Sequence, residues 1–171
     1  MVGYCQRYDE GRRTMRALIE RGAVGDIAVV NAAKGCSPLT GWLADPATGG
    51  GELLWLGVHI TDQVLWMAGS TPERVSGEIV WHPRTGADQS AVFTIRFESG
   101  VLANVLCSQN VVDRLDFIEV LGSAGRVRAE WPSGVVQVYS EALPEYKHPT
   151  TIRPRTPQPA NMYRDEMREW V

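Results

Sequence analysis

The sequence predicts an α+β fold, in which an open, mostly antiparallel β-sheet carries helices packed on one face. From Pro72 onward the chain consists mainly of short β-type runs separated by turn signals, and the short gaps between runs favour hairpins. Two stretches with helical periodicity precede these runs. The length of 171 residues, with 44% hydrophobic residues, suits a single domain over 1–171 with a sizeable core.

Bulk composition excludes several classes of partner. The net charge is −3 and there is no basic run, so neither nucleic acid nor an anionic membrane is an expected partner. No apolar run approaches the length of a membrane span, and the opening residues lack the pattern of a signal peptide. Cys5, Cys36 and Cys107 are far apart with no CxxC spacing, which indicates reduced thiols and a cytoplasmic location.

The first 48 residues predict a strand, a helix, a second strand and a loop. Val2, Tyr4 and Cys5 have the pattern of a strand, and Asp9 is a suitable N-cap for a helix over about 10–21. Gly22 ends that helix. The run IAVVNAAKG follows as a strand that is apolar on both faces at first, as in a covered strand. Residues 36–48 form a loop rich in Pro, Gly and Thr.

The stretch from Trp42 to Asp62 organises the rest of the chain. A helix should begin after Gly51, run through Met67 and stop at Gly69. Its predicted apolar face consists of Leu53, Leu54, Val58, Ile60, Val64, Leu65 and Met67. Its other side carries Glu52, His59, Asp62 and Gln63, with Trp55, Leu56 and Trp66 interleaved. Tryptophans beside a histidine and carboxylates are typical of the wall of a cleft.

The remaining elements are six strands, an arm and a helix. The strand runs are EIVWH, SAVFTIRFE, VLANVLCSQ, LDFIEVLG, RVRAEW and VVQVYS. Alternation places Phe93, Ile95 and Phe97 on one face of the sheet. Residues 141–160 contain five prolines and form an extended arm before a terminal helix over 161–171. That helix has no stop signal and the first strand has no lead-in, so we expect a piece of a longer protein, cut at both ends.

His59 is the first candidate for chemistry. An imidazole titrates near neutrality and can exchange protons with a hydroxyl or carbonyl. Glu52 and Asp62 should share its helical face. A partly buried histidine bonded to a backbone carbonyl is the more common outcome of this pattern alone. His59 and Asp62 could ligate one metal ion, but no third ligand has a recognisable spacing, so no metal site is predicted.

The Gly49–Gly51 triplet has two interpretations. It precedes a helix N-terminus, where anions are stabilised. It matches neither GxGxxG nor a P-loop, however, so a tight entry from loop to helix is favoured over a phosphate cradle.

The stretch W-x-x-D-P-x-x-x-G-G-G-x-L-L-x-L-G-V-H-x-x-D, which runs from Trp42 to Asp62, resembles the Gfo/Idh/MocA oxidoreductases, the relatives of glucose–fructose oxidoreductase and inositol dehydrogenase. The opening VGYCQRYDEGRRTMRALIERGAVGDI resembles the strand–helix–strand entry into that family's C-terminal domain. The resemblance implies a protein of two domains. An N-terminal Rossmann domain binds NAD or NADP, and a C-terminal α/β domain supplies much of the substrate site and often associates through its open sheet.

This chain resembles the C-terminal domain only. It contains neither GxGxxG nor the Glu-Lys-Pro stretch that carries the family's catalytic lysine. The resemblance implies that the cofactor is bound by an N-terminal domain absent from the chain. We therefore expect that residues 1–171 alone neither bind NAD(P)H tightly nor turn over.

The resemblance assigns site residues one by one. His59 matches the family's active-site histidine, which orients or deprotonates the substrate hydroxyl. Many relatives have an aspartate four residues earlier, where this chain has Trp55. Asp62 or Glu52 could take over the polar role, or Trp55 could stack on a sugar. Weaker substrate candidates are Gln6, Arg7 and Arg114, although Arg7 could equally pair with Asp9 or lie at the surface.

Three functions follow. The first is the substrate domain of an NAD(P)-dependent oxidoreductase that acts on a sugar, cyclitol or related polyol, as a homo-oligomer associating through the open sheet face. The second is a family member without redox activity that binds a small molecule, because Trp55 replaces the usual acid. The third is a β-rich association module without its own chemistry. The coding sequence upstream discriminates among them, since only the first requires a Rossmann segment with the catalytic lysine.

Overall fold

A computed structural model describes residues 3–155 and 160–170. Its α-helices are α1 (Glu10–Glu20), α2 (Val58–Ala68) and α3 (Ala160–Glu169). Its strands are β1 (Ile27–Gly35), β2 (Pro72–Trp81), β3 (Asp88–Phe97), β4 (Leu102–Ser108), β5 (Leu115–Gly122), β6 (Gly125–Glu130), β7 (Val136–Ser140) and β8 (Thr150–Ile152). The strands form one sheet in the order β2-β3-β4-β1-β5-β6-β7-β8. The predicted open, mostly antiparallel α+β fold is confirmed.

The chain divides into two compact units. One comprises residues 30–116 and the other comprises 1–29 with 117–171. The divisions therefore fall within β1 and within β5.

In the unit of residues 30–116, β2, β3 and β4 form an antiparallel meander. Helix α2 packs against β4. The helix contributes Ile60, Val64 and Met67 to the core, all fully buried. The alternation predicted for β3 is confirmed for Ile95 and Phe97, which are buried while Thr94 and Arg96 are exposed. The unit therefore presents α2 on one sheet face and leaves the other face uncovered by its own helices.

The start of the predicted 51–67 helix differs from an α-helix. Residues Leu53–Gly57 form one π-helical turn, and α2 begins only at Val58. A π turn contains an extra residue, so it rotates the preceding side chains relative to an unbroken α-helix. The predicted faces are therefore wrong at this end: Leu54, expected in the core, is 66% exposed, whereas Glu52, expected in the cleft, is fully buried.

The C-terminal end of the same helix follows the prediction. Gly69 has φ 62°, and its N–H donates to the carbonyl of Leu65. A left-handed residue at this position closes the last turn, and glycine takes that conformation without steric cost.

In the other unit, β5 to β8 form a second antiparallel meander, and α1 packs against β6 and β7. The side chain of Asp9 accepts a hydrogen bond from the Arg12 N–H, which confirms the predicted N-cap of α1. Met15 and Leu18 are buried beneath this helix. The fully buried Arg12 side chain donates to the carbonyl of Ala129.

Two segments differ from the sequence prediction. Cys5–Tyr8 form a 3₁₀ turn, so the predicted strand through Tyr4 and Cys5 is wrong, while Val2 lies outside the described residues. The predicted arm of 141–160, of which residues 156–159 lie outside the described part, contains the short strand β8, which pairs with β7. The 3₁₀ turn is closed locally, since the N–H of Arg7 donates to the carbonyl of Tyr4, whereas β8 depends on pairing with β7, which a local pattern does not contain.

Within the described part of the chain, no helix combines the length and apolar character needed to cross a membrane.

Candidate active site

His59 is the second residue of α2, and its side chain is half-buried. Its backbone carbonyl accepts a hydrogen bond of 3.3 Å from Nε2 of Gln63, one turn later. Asp62 on the same helix is 7% exposed. The first turns of α2 therefore place an imidazole and a carboxylate at a site that is largely shielded from water.

A buried ion pair completes the surroundings of His59. Lys34, near the end of β1, donates through Nζ to Oδ2 of Asp116, the second residue of β5. Their side chains are 7% and 1% exposed. Two opposite charges are thus held inside the unit of residues 30–116, where each stabilises the other.

The pKa of His59 lies below its usual value of 6.5. Burial is the main cause, and the charge of Lys34 acts in the same direction, while Asp116 and Asp62 oppose it. The lowered pKa favours the neutral form of His59, which can accept a proton. The groups named here all lie within 30–116.

Glu52 is a second buried group with an unusual pKa. Its pKa is raised from 4.5 to about 7, mainly by burial and next by the neighbouring Asp88, while Lys34 and the Cys36 thiol oppose the rise. Its Oε2 lies 3.9 Å from Sγ of Cys36, and no described group forms a hydrogen bond with its buried Oε1. The charge of Asp62 acts on His59 from the same helix. Which of the two acids takes over the polar role stays a prediction.

Both cysteines near Glu52 are unreactive thiols near pH 7. Burial raises the pKa of Cys107 to about 12 and, with Glu52, also raises the pKa of Cys36. The thiolate is the nucleophilic form, so neither residue is suited to covalent catalysis. Among the described residues, no group of three or more His, Cys, Asp or Glu side chains is placed to hold a metal ion.

The Gly49–Gly51 triplet does not fit a dinucleotide phosphate. Oδ2 of Asp88 accepts a 2.6 Å hydrogen bond from the N–H of Leu53, at the position where a phosphate would bind to a helix N-terminus. Gly51 has φ 149° and forms an isolated β-bridge with Asp88. A Cβ at Gly51 would collide with the Asp88 carboxylate. The triplet therefore makes contacts within the chain, as expected for a tight turn from a loop into a helix. It does not form a phosphate-binding loop.

Two tryptophans lie together at the outer side of the π turn. Trp55 is 40% exposed and Trp42 is 62% exposed. Their ring centroids are 6.3 Å apart and their planes are at 83°, an edge-to-face contact. Gln109 links Leu39, three residues before Trp42, to the start of β3, because its Oε1 accepts from the N–H of Leu39 and its Nε2 donates to the carbonyl of Asp88. The two rings therefore form an exposed aromatic surface next to the π turn.

Comparison with known proteins identifies the family. The sequence model of the GFO/IDH/MocA C-terminal domain matches residues 12–128 of the chain. The chain belongs to this family.

Relatives and solved structures agree with that assignment. Glucose-fructose oxidoreductase domain-containing protein 2 of Homo sapiens is 28% identical over 144 residues, which cover 75% of this chain and 37% of the relative. An aldose-aldose oxidoreductase of Caulobacter crescentus, complexed with glycerol, has a TM-score of 0.83 and 23% identity, covering 98% of this chain and 51% of that one. A levoglucosan dehydrogenase in complex with NADH and levoglucosan has a TM-score of 0.81 and 20% identity, covering 94% and 51%.

The chain therefore spans about a third of the curated relative and about half of each solved structure. At these identities the structural likeness shows the fold alone. The function of the whole protein has to be argued from the site.

The remaining predicted residues of this GFO/IDH/MocA C-terminal domain have different placements. Arg114 is exposed in the unit of residues 30–116, and its charge acts on Cys36, so it lies at the border of the buried polar groups. Gln6 and Arg7 belong to the other unit, where Gln6 is 5% exposed and Arg7 is exposed. The substrate roles of all three residues remain predictions.

Lys34, Asp116 and Gln109 were not predicted as site residues. A signal for the first two is present in the sequence. Lys34 is the only charged residue within the run IAVVNAAKG, and Asp116 occupies the same alternation as the buried Ile118 and Val120. Charged side chains at the buried positions of strands are rare unless they are paired. Two such positions on separate strands indicate an internal ion pair. Gln109 gave no comparable signal.

Proposed function

We propose that this chain is the C-terminal substrate domain of an NAD(P)-dependent oxidoreductase that acts on a sugar, cyclitol or related polyol. The observation that carries the proposal is His59, a half-buried imidazole at the start of α2 whose pKa is lowered by burial and by Lys34. Family membership and the names of the solved relatives, an aldose-aldose oxidoreductase and a levoglucosan dehydrogenase, support the reaction class.

In this function the chain binds the substrate and receives a proton. A neutral His59 accepts the hydroxyl proton of an alcohol as the carbon is oxidised, and the nearby Asp62 and Asp116 stabilise the imidazolium that forms. The nicotinamide cofactor is assigned to an N-terminal domain outside these 171 residues, because the Gly49–Gly51 triplet does not fit its phosphates. We retain the cytoplasmic location as part of the proposal, on the basis of three free cysteines.

The test uses the protein extended by its upstream coding sequence. Aldoses, cyclitols and acyclic polyols are offered with NAD⁺ or NADP⁺, and formation of the reduced nicotinamide is followed by absorbance. We expect turnover with at least one cyclic polyol or sugar. Complete absence of turnover across the panel, from a protein that binds the cofactor, would contradict the proposal.

The isolated chain gives a separate prediction. Residues 1–171 should bind neither NADH nor NADPH tightly, because Asp88 already occupies the helix start and carries a like charge. Fluorescence titration of the reduced cofactors with the purified chain measures this. Stoichiometric, tight binding by the chain alone would show that a cofactor site exists within it.

A second candidate function is favoured by Trp55. An indole cannot exchange a proton, and here it is exposed beside Trp42 at the position of the family's aspartate. A family member that only binds a small molecule would have these features. Stacking on the apolar face of a sugar would use the same aromatic surface in either function.

Substitutions at Trp55 separate these functions. If Trp55 stacks on the substrate of an active enzyme, Trp55→Ala should raise KM about fivefold, which corresponds to a loss of about 1 kcal/mol, while Trp55→Phe retains most of the affinity. Trp55→Asp should lower affinity without raising kcat. A protein that gains turnover only as the Trp55→Asp variant is instead a binding protein that has lost its redox chemistry. Steady-state kinetics on the extended protein measures each case.

Self-association through the open sheet face belongs to the same proposal. The face opposite α2 carries exposed apolar side chains on adjacent strands, among them Val80, Val92 and Leu102. Apolar groups gathered on one sheet face are typical of an interface. A purely associative function, the third candidate, would rest on this face alone. It gives no reason for the polar groups buried around His59.

A further inference from the structure

Two exposed indoles are in contact at the start of the helical segment that carries His59. The rings of Trp42 and Trp55 lie edge to face, with 6.3 Å between their centroids and 83° between their planes. Single exposed apolar side chains are ordinary on a protein surface, whereas adjoining apolar side chains indicate a place where a ligand or a partner binds. The aromatic surface of Trp42 and Trp55 is therefore a candidate binding site.

The loop that carries Trp42 holds this residue in place. The N–H groups of Thr48 and Gly49 both donate to the carbonyl of Asp45, and the Thr48 hydroxyl donates to the carbonyl of Trp42 at 3.0 Å. Gly49 lies so close to Trp42 that a Cβ on the glycine would collide with that carbonyl. A preorganised backbone loses little entropy when a ligand binds, so the loop presents Trp42 as a ready-made contact.

The aromatic surface lies close to His59 along the helix. Trp55 belongs to the π turn Leu53–Gly57, which runs directly into α2, and His59 follows four residues later. Four residues correspond to about one helical turn, or about 6 Å along the axis, and their side chains lie on nearly the same side. A substrate held at His59 can therefore reach Trp55, and Trp42 extends the aromatic surface beyond the helix.

The angle between the two indoles decides how many ligand rings the surface fits. A sugar ring stacks with its apolar face parallel to an indole, while its hydroxyl groups remain solvated. Because the indole planes are 83° apart, one sugar ring can stack on only one of them. A sugar that covers both indoles must therefore have two rings.

The size of the surface favours such a ligand over a protein partner. With exposed fractions of 62% for Trp42 and 40% for Trp55, the two residues together expose the area of one whole indole, roughly 250 Å². A specific protein interface covers about 800 Å² on each partner. The aromatic surface alone is therefore too small for a stable protein contact, and its size suits a small ligand.

We propose that Trp42 is the stacking site of a second sugar ring, so that the substrate is a glycoside whose non-reacting ring lies on Trp42 while its reacting ring lies at Trp55 and His59. The inference rests on the proposed function, which supplies a sugar as the ligand. Trp42 takes no part in the oxidation and leaves the glycosidic bond intact. It contributes affinity for the longer substrate, and Gly49 positions it.

Calorimetry on the extended protein, with NADH or NADPH added so that no sugar is oxidised, tests the second-ring site. The probes are glucose and galactose, and the disaccharides cellobiose, maltose and lactose. We expect at least one disaccharide to bind about fivefold more tightly than either monosaccharide. Trp42→Ala should remove this preference and Trp42→Phe should retain most of it. The matched control is Trp81→Ala, which removes an indole exposed at the end of β2 and should leave the preference unchanged.

Gly49→Ala tests the position of Trp42 without removing either indole. The added methyl group should displace the Trp42 backbone and reduce the preference for the disaccharide. The inference would be overturned by disaccharides that bind no more tightly than monosaccharides or do not bind. A preference that persists unchanged in both Trp42→Ala and Gly49→Ala would also overturn it.

Turnover separates this inference from the proposed function. Oxidation of monosaccharides and disaccharides with equal kcat/KM, in the wild type and in Trp42→Ala alike, would overturn the second-ring site and leave the oxidoreductase intact. A disaccharide preference that depends on Trp42, without oxidation of any sugar, would overturn the proposed function while the second-ring site stands as that of a binding protein.

Discussion

Replacing His59 with alanine should lower kcat/KM for oxidation of the substrate by about 10²–10⁴-fold, the usual contribution of a general base. The loss should lie mainly in kcat, because the imidazole is needed most as the proton is transferred. The measurement is steady-state kinetics on the extended protein with its best sugar or polyol. His148→Ala is the matched control, since His148 is exposed in the arm before β8 and should leave turnover unchanged.

The pH dependence makes the assignment specific. The base must be neutral, so kcat/KM should fall as the pH drops through the pKa of His59, which lies below 6.5. At higher pH His59 adds no further dependence. In His59→Ala that acid limb should disappear together with most of the rate. A variant that retains its turnover, or that loses rate but keeps the same acid limb, would show that another group accepts the proton.

The features that the sequence predicted correctly are those with local causes. The N-cap of α1 needs only Asp9 and the N–H of Arg12, and the end of α2 needs only Gly69. In β3 and β4 the apolar and polar residues alternate, and each strand's own sequence shows that alternation. The family motif is also local, since its residues are contiguous from Trp42 to Asp62; the catalytic role that it assigns to His59 stays a prediction.

The features that the sequence did not predict depend on residues distant in the chain. Lys34 and Asp116 are separated by 82 positions, so although each lies at an apolar position of its strand, neither local pattern identifies the residue with which it pairs. The π turn at Leu53–Gly57 is equally non-local, because Asp88 of β3 holds the N–H of Leu53 and fixes how the helix begins. The burial of Glu52 follows from that turn. A helical wheel assumes the same angular step for every residue, so it cannot represent the extra residue of a π turn.

Glu52 gives the second large prediction, which concerns stability. In the folded chain its pKa rises from 4.5 to about 7, so the folded state binds the proton more tightly than the unfolded state. The free energy of unfolding should therefore fall as the pH rises from about 4.5 to about 7, and this contribution should not change further at higher pH. Each pKa unit corresponds to about 1.4 kcal/mol, so this contribution is on the order of 3 kcal/mol.

Glu52→Gln should remove that loss. Glutamine is neutral at every pH and nearly the same shape as the protonated acid, and its amide can still face Cys36. The variant should be more stable than the wild type at pH 8 by about 2–3 kcal/mol and nearly equal to it at pH 4. Urea unfolding of both proteins at the two pH values measures the difference.

The direction of this effect is what makes the test decisive. An exposed glutamate in an ion pair, such as Glu73, stabilises the fold slightly by its charge. Glu73→Gln should therefore lower the free energy of unfolding by less than about 1 kcal/mol. Glu52 should behave in the opposite way, because its charge is buried beside Asp88 and Lys34 offsets it only in part. Equal stability of Glu52→Gln and wild type at pH 8 would mean that water or a counter-charge reaches Glu52. The carboxyl would then be available to the site after all.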